Sequence, residues 1–135
     1  MANPVIYGTE VKYIDDGNTR MVCLTTNVST SSSPLSLEEN GIDYAVPAGK
    51  VFVPIRIHAE NSETSTNSPF EMWFNTTTDN TTGGTIWGKF RNSGNGSPIE
   101  FTLGAPAIAA TNYVIIRNST SGNIYITMIG VETNA

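Results

Sequence analysis

His58 and Cys23 are the side chains whose types most often carry catalytic chemistry. Each is the single residue of its kind, and the two lie far apart in the sequence. A nucleophilic serine would need an activating base and a strained turn of the Gly-x-Ser-x-Gly type, and that pattern does not occur. Glu71 and Glu100 lie in apparent strands, where solvated positions explain them more simply than a glycosidase pair. We therefore expect a protein that is not an enzyme.

The polar turn residues also fail to predict a metal site. One histidine and one cysteine cannot provide the spacing of a zinc site. Oxygen ligands occur in two patches, but neither patch has the spacing of an EF-hand loop. Asp and Asn are common in turns because their side chains bond to nearby backbone groups. We expect no metal ion and no cofactor, although these two patches contain candidate calcium ligands: Asp15, Asp16, Asn18, Asp79 and Asn80.

Three aromatic residues leave a binding function open. Trp73, Trp87 and Tyr125 could stack on sugar rings, as exposed aromatic side chains do in lectins. By alternation within its segment, Trp87 is predicted to lie on the outside, while Trp73 shares a face with Glu71. The structural alternative is that both indoles pack at a sheet edge or between subunits.

Composition predicts a single all-β domain over residues 1–135. Apolar residues make up 39% of the chain and charged residues 14%, with Thr, Asn, Ser and Gly prominent among the rest. The net charge of −5 argues against nucleic acid and anionic membranes as partners. The first residues lack a basic start and a long apolar stretch, so we expect no signal peptide or membrane anchor and synthesis in a host cytoplasm. Cys23 cannot form an internal disulfide, and its apolar neighbours predict a buried thiol.

The segment 44–59 predicts a strand, a tight turn and a second strand. Pro47 fixes its own φ and Gly49 can adopt the positive φ of a type II turn. Alternation after the turn places two sets of side chains on opposite faces. The predicted core face holds Val51, Val53, Ile55, Ile57 and Ala59, and the predicted outer face holds Lys50, Phe52, Pro54, Arg56 and His58.

The remaining segments complete an antiparallel sheet protein. Asp15-Asp-Gly-Asn18 predicts a hairpin between strands near 9–14 and 20–25. Residues 1–8 and 25–37 are predicted to be a flexible N-terminal segment and a mobile arm. Two final strands, near 112–118 and 123–131, are apolar on both faces, which predicts a central position or a subunit contact. About eight short strands then predict an antiparallel two-sheet sandwich of the jelly-roll kind.

Two segments carry a resemblance to a protein family. Tyr44-Ala-Val-Pro-Ala-Gly-Lys-Val-Phe-Val53 and the closing Gly122-Asn-Ile-Tyr-Ile-Thr-Met-Ile-Gly130 resemble small virion proteins of tailed bacteriophages. The resemblance implies a trimeric β-sandwich that decorates and cements the capsid surface. Its partners would be sister copies, as a homotrimer, and the major capsid protein. The expected oligomer or capsid interface comprises Phe52, Pro54, Arg56, His58, Ile129 and Val131.

Related sandwiches in tail fibres and spikes give an alternative function. The chain would then be a carbohydrate-binding or receptor-binding domain, or a lectin. Its candidate sugar-binding residues would be Trp73, Trp87 and Tyr125.

Overall fold

A computed structural model describes residues 4–7, 10–13, 19–28, 34–61, 68–92, 99–102, 107–118 and 123–135. Every regular element in these ranges is a β-strand. In chain order the strands are β1 Pro4–Tyr7, β2 Glu10–Tyr13, β3 Thr19–Val28, β4 Leu35–Ser36, β5 Glu38–Glu39, β6 Ile42–Asp43, β7 Lys50–Asn61, β8 Ser68–Asn75, β9 Thr85–Asn92, β10 Ile99–Thr102, β11 Tyr113–Asn118 and β12 Ile124–Asn134.

The strands form two larger antiparallel sheets that pack as a sandwich, which confirms the predicted fold class. The six-stranded sheet has the order β10-β7-β12-β3-β5-β6, in which β5 and β6 are two-residue strands at one edge. The four-stranded sheet has the order β4-β11-β8-β9, and β1 pairs with β2 as a separate hairpin. β12 lies between β7 and β3, and β11 lies between β4 and β8. The two strands that are apolar on both faces are therefore central, as predicted.

The core lies between the inner faces of these two sheets. Burial of apolar side chains from both sheets supplies the main stabilisation, roughly 1.5–3 kcal/mol for each large side chain. The six-stranded sheet contributes Leu24, Ile57, Ile124, Ile126 and Met128, and the four-stranded sheet contributes Phe70, Met72, Val114 and Ile116.

The turn before β7 forms as predicted. The Lys50 backbone N–H donates to the Pro47 carbonyl oxygen at 3.1 Å, and Gly49 has a φ of 76°. A positive φ is strained for residues with a side chain and suits glycine. The turn thus directs the chain into the longest strand of the six-stranded sheet.

A β-bulge changes the predicted faces of β7. Ile129 pairs with Arg56 and Gly130 pairs with Pro54, so Ile55 has no direct partner on β12. One inserted residue reverses the alternation of side chains on either side of it. Phe52 and Pro54 are therefore buried in the core instead of lying on the outer face.

The predicted core face of β7 is correct on only one side of this bulge. Ile57 and Ala59 are buried, whereas Ile55 is exposed. Val53 pairs with Val131 on the outer side of the sheet. Val51 is likewise only partly buried.

The first hairpin and the proposed arms also differ from the prediction. β2 pairs with β1, while β3 pairs with β12 from Thr19 to Val28. The predicted flexible segment 1–8 thus contains a paired strand. The predicted arm 25–37 begins inside β3 and ends in β4 and the fully buried Leu37. Its middle, residues 29–33, lies outside the described residues.

Candidate functional site

The outward side of strands β3, β12 and β7 is the surface best suited to a partner. We call it the apolar face. Valine, isoleucine and threonine are frequent in these strands, and such β-branched residues favour extended backbone. Along β3, Val22 and Leu24 point into the core, so their neighbours point outward. The apolar face comprises Met21, Cys23 and Thr25 of β3, Tyr125, Thr127, Ile129 and Val131 of β12, and Val53, Ile55, Arg56 and His58 of β7.

Strand register brings these side chains together in rows. Met21 and Val53 both lie opposite Val131, which gives an apolar row across three strands. In the next row, Cys23 and Arg56 both lie opposite Ile129. Side chains directly opposite one another on a sheet lie about 4.5–5.5 Å apart at Cβ, so each row is continuous.

Solvent exposure distinguishes this surface from an ordinary outer face. Met21 is 46% exposed, Ile55 40%, Tyr125 46% and Ile129 37%. The outward side of an antiparallel sheet is usually polar when water covers it. A contiguous exposed apolar patch instead indicates an interaction site. In the described part of the chain, the other exposed large apolar residues, Ile42 and Ile86, lie elsewhere.

Two shallow depressions cross the apolar face. One has a volume of about 310 Å³ and is lined by Thr19, Met21, Ile55 and Val131. The other has a volume of about 200 Å³ and is lined by Arg56, His58, Thr127 and Ile129. The first depression is lined mainly by apolar side chains, while the second has polar groups at its edge.

The structure brings together four of the six residues predicted for the oligomer or capsid interface. Arg56, His58, Ile129 and Val131 lie on the apolar face. Phe52 and Pro54 do not, because the bulge turns them into the core, where they have no surface to offer a partner.

Sequence analysis assigned only four of the eleven members of this surface to a partner interface, and those it missed include Met21, Cys23, Val53 and Ile55. Met21 and Cys23 alternate with Val22 and Leu24, a pattern that identifies them as outward residues once the strand is recognised. The predicted buried thiol is wrong, since Cys23 is exposed. Alternation along β7 predicts Val53 and Ile55 in the core, because the bulge has no local sequence pattern.

The apolar face does not assemble a recognisable catalytic group. His58 Nε2 lies 3.9 Å from Glu60 Oε2, and both side chains are substantially exposed. Within the described residues, no three His, Cys, Asp or Glu side chains cluster in a way that could hold a metal ion. A search of the same residues also finds no helix long and apolar enough to cross a membrane.

A network of charged residues lies at one end of β3 and β12. Arg20 Nη1 lies 2.6 Å from Glu39 Oε2, and Arg20 Nη2 lies 3.1 Å from Glu132 Oε2. The Tyr44 hydroxyl donates to the same Glu132 oxygen at 2.8 Å. Burial, and then the bond to Glu132, raise the pKa of the Tyr44 phenol above its ordinary value. The network joins three strands and the turn region, which indicates a structural role.

The candidate sugar-binding residues do not converge on one site. Tyr125 lies on the apolar face, and Trp73 lies on the outer side of the four-stranded sheet. Trp87 packs inward, with its ring centroid 5.5 Å from that of Phe90 and 6.5 Å from that of Phe74. A bulge leaves Trp87 between two paired residues of β9, so its predicted outward position is wrong.

Comparison with known proteins finds no family model that matches the chain and no similar curated protein. The apolar face therefore carries the functional argument.

Proposed function

We propose that this protein is a non-enzymatic virion structural protein that decorates and cements a bacteriophage capsid. The observation that carries the proposal is the exposed apolar face of the six-stranded sheet. The resemblance of the turn and closing strand to small virion proteins supports the same function. On this proposal, copies associate as a homotrimer and bind the major capsid protein at the capsid surface.

The apolar face is smaller than a stable protein interface, so the contact with partners would extend beyond it. Three strands spaced about 4.8 Å apart and six steps of about 3.4 Å along β12 give roughly 300 Å². This is the size of functional patches on monomeric proteins. A standard stable interface needs about 800 Å² from each partner. Sister copies and the capsid would together cover the apolar face and its surroundings.

Polar groups along the β7 side of the apolar face would give the contact its specificity. Arg56 and His58 lie beside Ile129 and Thr127, and Glu60 pairs with Tyr125 in the outermost row. An apolar centre with polar residues at its rim is the usual arrangement of a protein interface. Charged rim residues set the orientation and association rate more than the affinity.

Capsid binding by matched lysine variants tests the proposal. We expect the native chain to co-sediment with expanded capsids and to saturate at a fixed number of copies. Ile129→Lys places a charge in the centre of the apolar face, where its burial costs several kcal/mol. Occupancy should therefore fall at least tenfold.

Ile42→Lys is the control, because Ile42 is 73% exposed on a different edge of the protein. Its occupancy should equal that of the native chain. Equal binding by native protein and the Ile129→Lys variant would reject the apolar face as the capsid contact. No saturable binding by the native chain would reject the decoration function.

A further inference from the structure

The outer side of the four-stranded sheet carries a second arrangement that the proposed function does not use. Trp73 lies opposite Ile86 on β9 and Ile115 on β11. One row away, Glu71 lies opposite Lys89 and Arg117. A row of Trp73 with two isoleucines and a charged row are thus neighbours on one side of the sheet, which we call the Trp73 face.

The charged row is held together by Glu71. Its carboxylate oxygens lie 3.5 Å from Lys89 Nζ and 3.4 Å from Arg117 Nε. The Trp73 indole Nε1 donates to Glu71 Oε1 at 3.4 Å. These contacts place the Trp73 ring and the Arg117 side chain around the same carboxylate.

The charged row has an excess of positive charge that water can reach. The Glu71 side chain is 14% exposed, whereas Arg117 and Lys89 are 43% and 73% exposed. Two cations thus accompany one carboxylate on a chain whose net charge is −5. A ligand at this row would meet the cations first, so the row favours an anionic group.

Arg117 can pair with that group through its guanidinium. Its Nε lies 3.4 Å from Glu71 Oε1, and its side chain is 43% exposed. A guanidinium presents paired N–H donors whose geometry matches a carboxylate. Lys89 adds a flexible point charge on the other side of Glu71.

Trp73 provides the complementary apolar surface. An indole ring stacks on the C–H face of a pyranose, and its N–H takes a fixed direction through Glu71. Trp73 itself is half-buried, and Ile115 opposite it is fully buried, because Ser36 in the same row bonds to Thr78 and Asp79 of the loop after β8. The open part of the row is therefore the Trp73 and Ile86 end, which suits a single sugar ring.

We propose that the Trp73 face binds an acidic saccharide through one uronic acid residue. The sugar ring stacks on Trp73 while its carboxylate pairs with Arg117 and Lys89. Each uronic acid carries one charge, which matches the single excess positive charge of the row. Nucleic acid fits poorly, because its duplex carries one charge per about 1.7 Å and needs a longer basic stripe.

The test measures the binding of tetragalacturonate by calorimetry and tryptophan fluorescence, with maltotetraose as the neutral control. We expect saturable binding of the uronate and at least tenfold weaker binding of the neutral sugar. Arg117→Gln should weaken uronate binding at least tenfold, because a charge-assisted pair is lost. Trp73→Ala should weaken it by roughly three- to tenfold through the lost stacking.

Two matched variants control for folding and position. Trp73→Phe keeps an aromatic ring and should retain affinity within about threefold even if the alanine variant unfolds. Tyr125→Ala removes an exposed ring from the apolar face and should leave uronate binding unchanged. Added salt should weaken binding, since the paired charges are exposed to solvent.

Several outcomes would overturn the proposal. They are the absence of uronate binding, equal affinity for the neutral sugar, and equal affinity for inorganic sulfate. An Arg117→Gln variant that binds the uronate as tightly as the native chain would also overturn the proposal. The proposal does not depend on capsid decoration, because Trp73→Phe and Arg117→Gln leave the apolar face intact and should retain capsid occupancy.

Discussion

The Tyr44 phenol is held protonated by its surroundings. Burial disfavours the phenolate, and the hydroxyl donates to Glu132 at 2.8 Å, so the pKa of Tyr44 is higher in the folded chain than in the unfolded chain. A raised folded pKa means that the native state keeps a proton that the unfolded state loses above about pH 10. The stability contributed by this group is complete below that pH and declines above it.

We therefore predict that the free energy of unfolding decreases as the pH rises from about 9 to 11. Urea unfolding at several pH values measures this slope. Tyr44→Phe removes the ionisable group and should reduce the slope, although its stability at neutral pH falls by about 1 kcal/mol with the lost hydrogen bond. The other tyrosines titrate in both proteins, so the difference between the slopes reports Tyr44. Identical slopes would show that Tyr44 ionises as freely in the folded state.

Gly130 makes room for the ring that the bulge turns inward. A Cβ atom at this position would meet the Phe52 ring and lie 2.6 Å from the Val53 carbonyl oxygen. The Phe52 ring also packs edge-on against Tyr44, with centroids 5.4 Å apart and planes at 65°. Phe52 is thus confined on two sides, and its pocket has no space for another atom.

Gly130→Ala should overpack this pocket and destabilise the protein by about 1–3 kcal/mol. Chemical denaturation measures the loss. Phe52→Leu replaces the ring with a smaller side chain. Combined with Gly130→Ala, it should recover part of the lost stability because the two positions are in contact. An unfolding midpoint equal to that of the native chain would contradict the packing described for Phe52.

At the scale of elements, alternation predicted side-chain direction wherever a strand was regular. Four residues lie outward as predicted, because no inserted residue interrupts the alternation in their part of the strand: Arg56, His58, Ile129 and Val131. Phe52 lies on the other side of the bulge, so its direction was predicted incorrectly. The bulge arises from the register of β7 against β12, which a single segment does not encode.

Strand pairing was harder to predict than strand position. The Asp-Gly turn indicated a hairpin between neighbouring segments, yet β3 pairs with β12 at the other end of the chain. Turn sequences report local geometry, whereas partner choice depends on which faces must be buried together. The Trp73 face was missed for the same reason, because Glu71, Lys89 and Arg117 come from three different strands whose register brings them together.

Cys23 gives a direct probe of the apolar face. It is the only cysteine of the chain, and its side chain is exposed beside Ile129. If copies associate through this face, maleimide should label Cys23 rapidly in dilute protein and at least tenfold more slowly in concentrated protein. Bound neighbours would exclude water and reagent from the centre of the interface.

Met21→Lys, in the row beside Cys23, should keep labelling rapid at every concentration. Ile42→Lys should behave like the native chain, since Ile42 lies on β6 at the edge of the sheet. Concentration-independent labelling of the native protein would place sister copies somewhere other than on the apolar face.

At the scale of the whole molecule, the sandwich presents two unlike outer surfaces. The six-stranded sheet carries exposed apolar rows, and the four-stranded sheet carries the Trp73 and Glu71 rows. In a decorated capsid, association through the first surface leaves the second facing solvent. On the two proposals together, the chain would bind a capsid through one surface and a saccharide through the other.

The mass of the chain in solution tests the central claim most directly. Sedimentation equilibrium over a hundredfold range of concentration should show association of the 14.5 kDa chain, approaching three times that mass at the upper end. Ile129→Lys should remain a single chain across the same range, because a lysine in the apolar row cannot be buried without cost. A native protein that stays at 14.5 kDa at every concentration would contradict self-association through the apolar face.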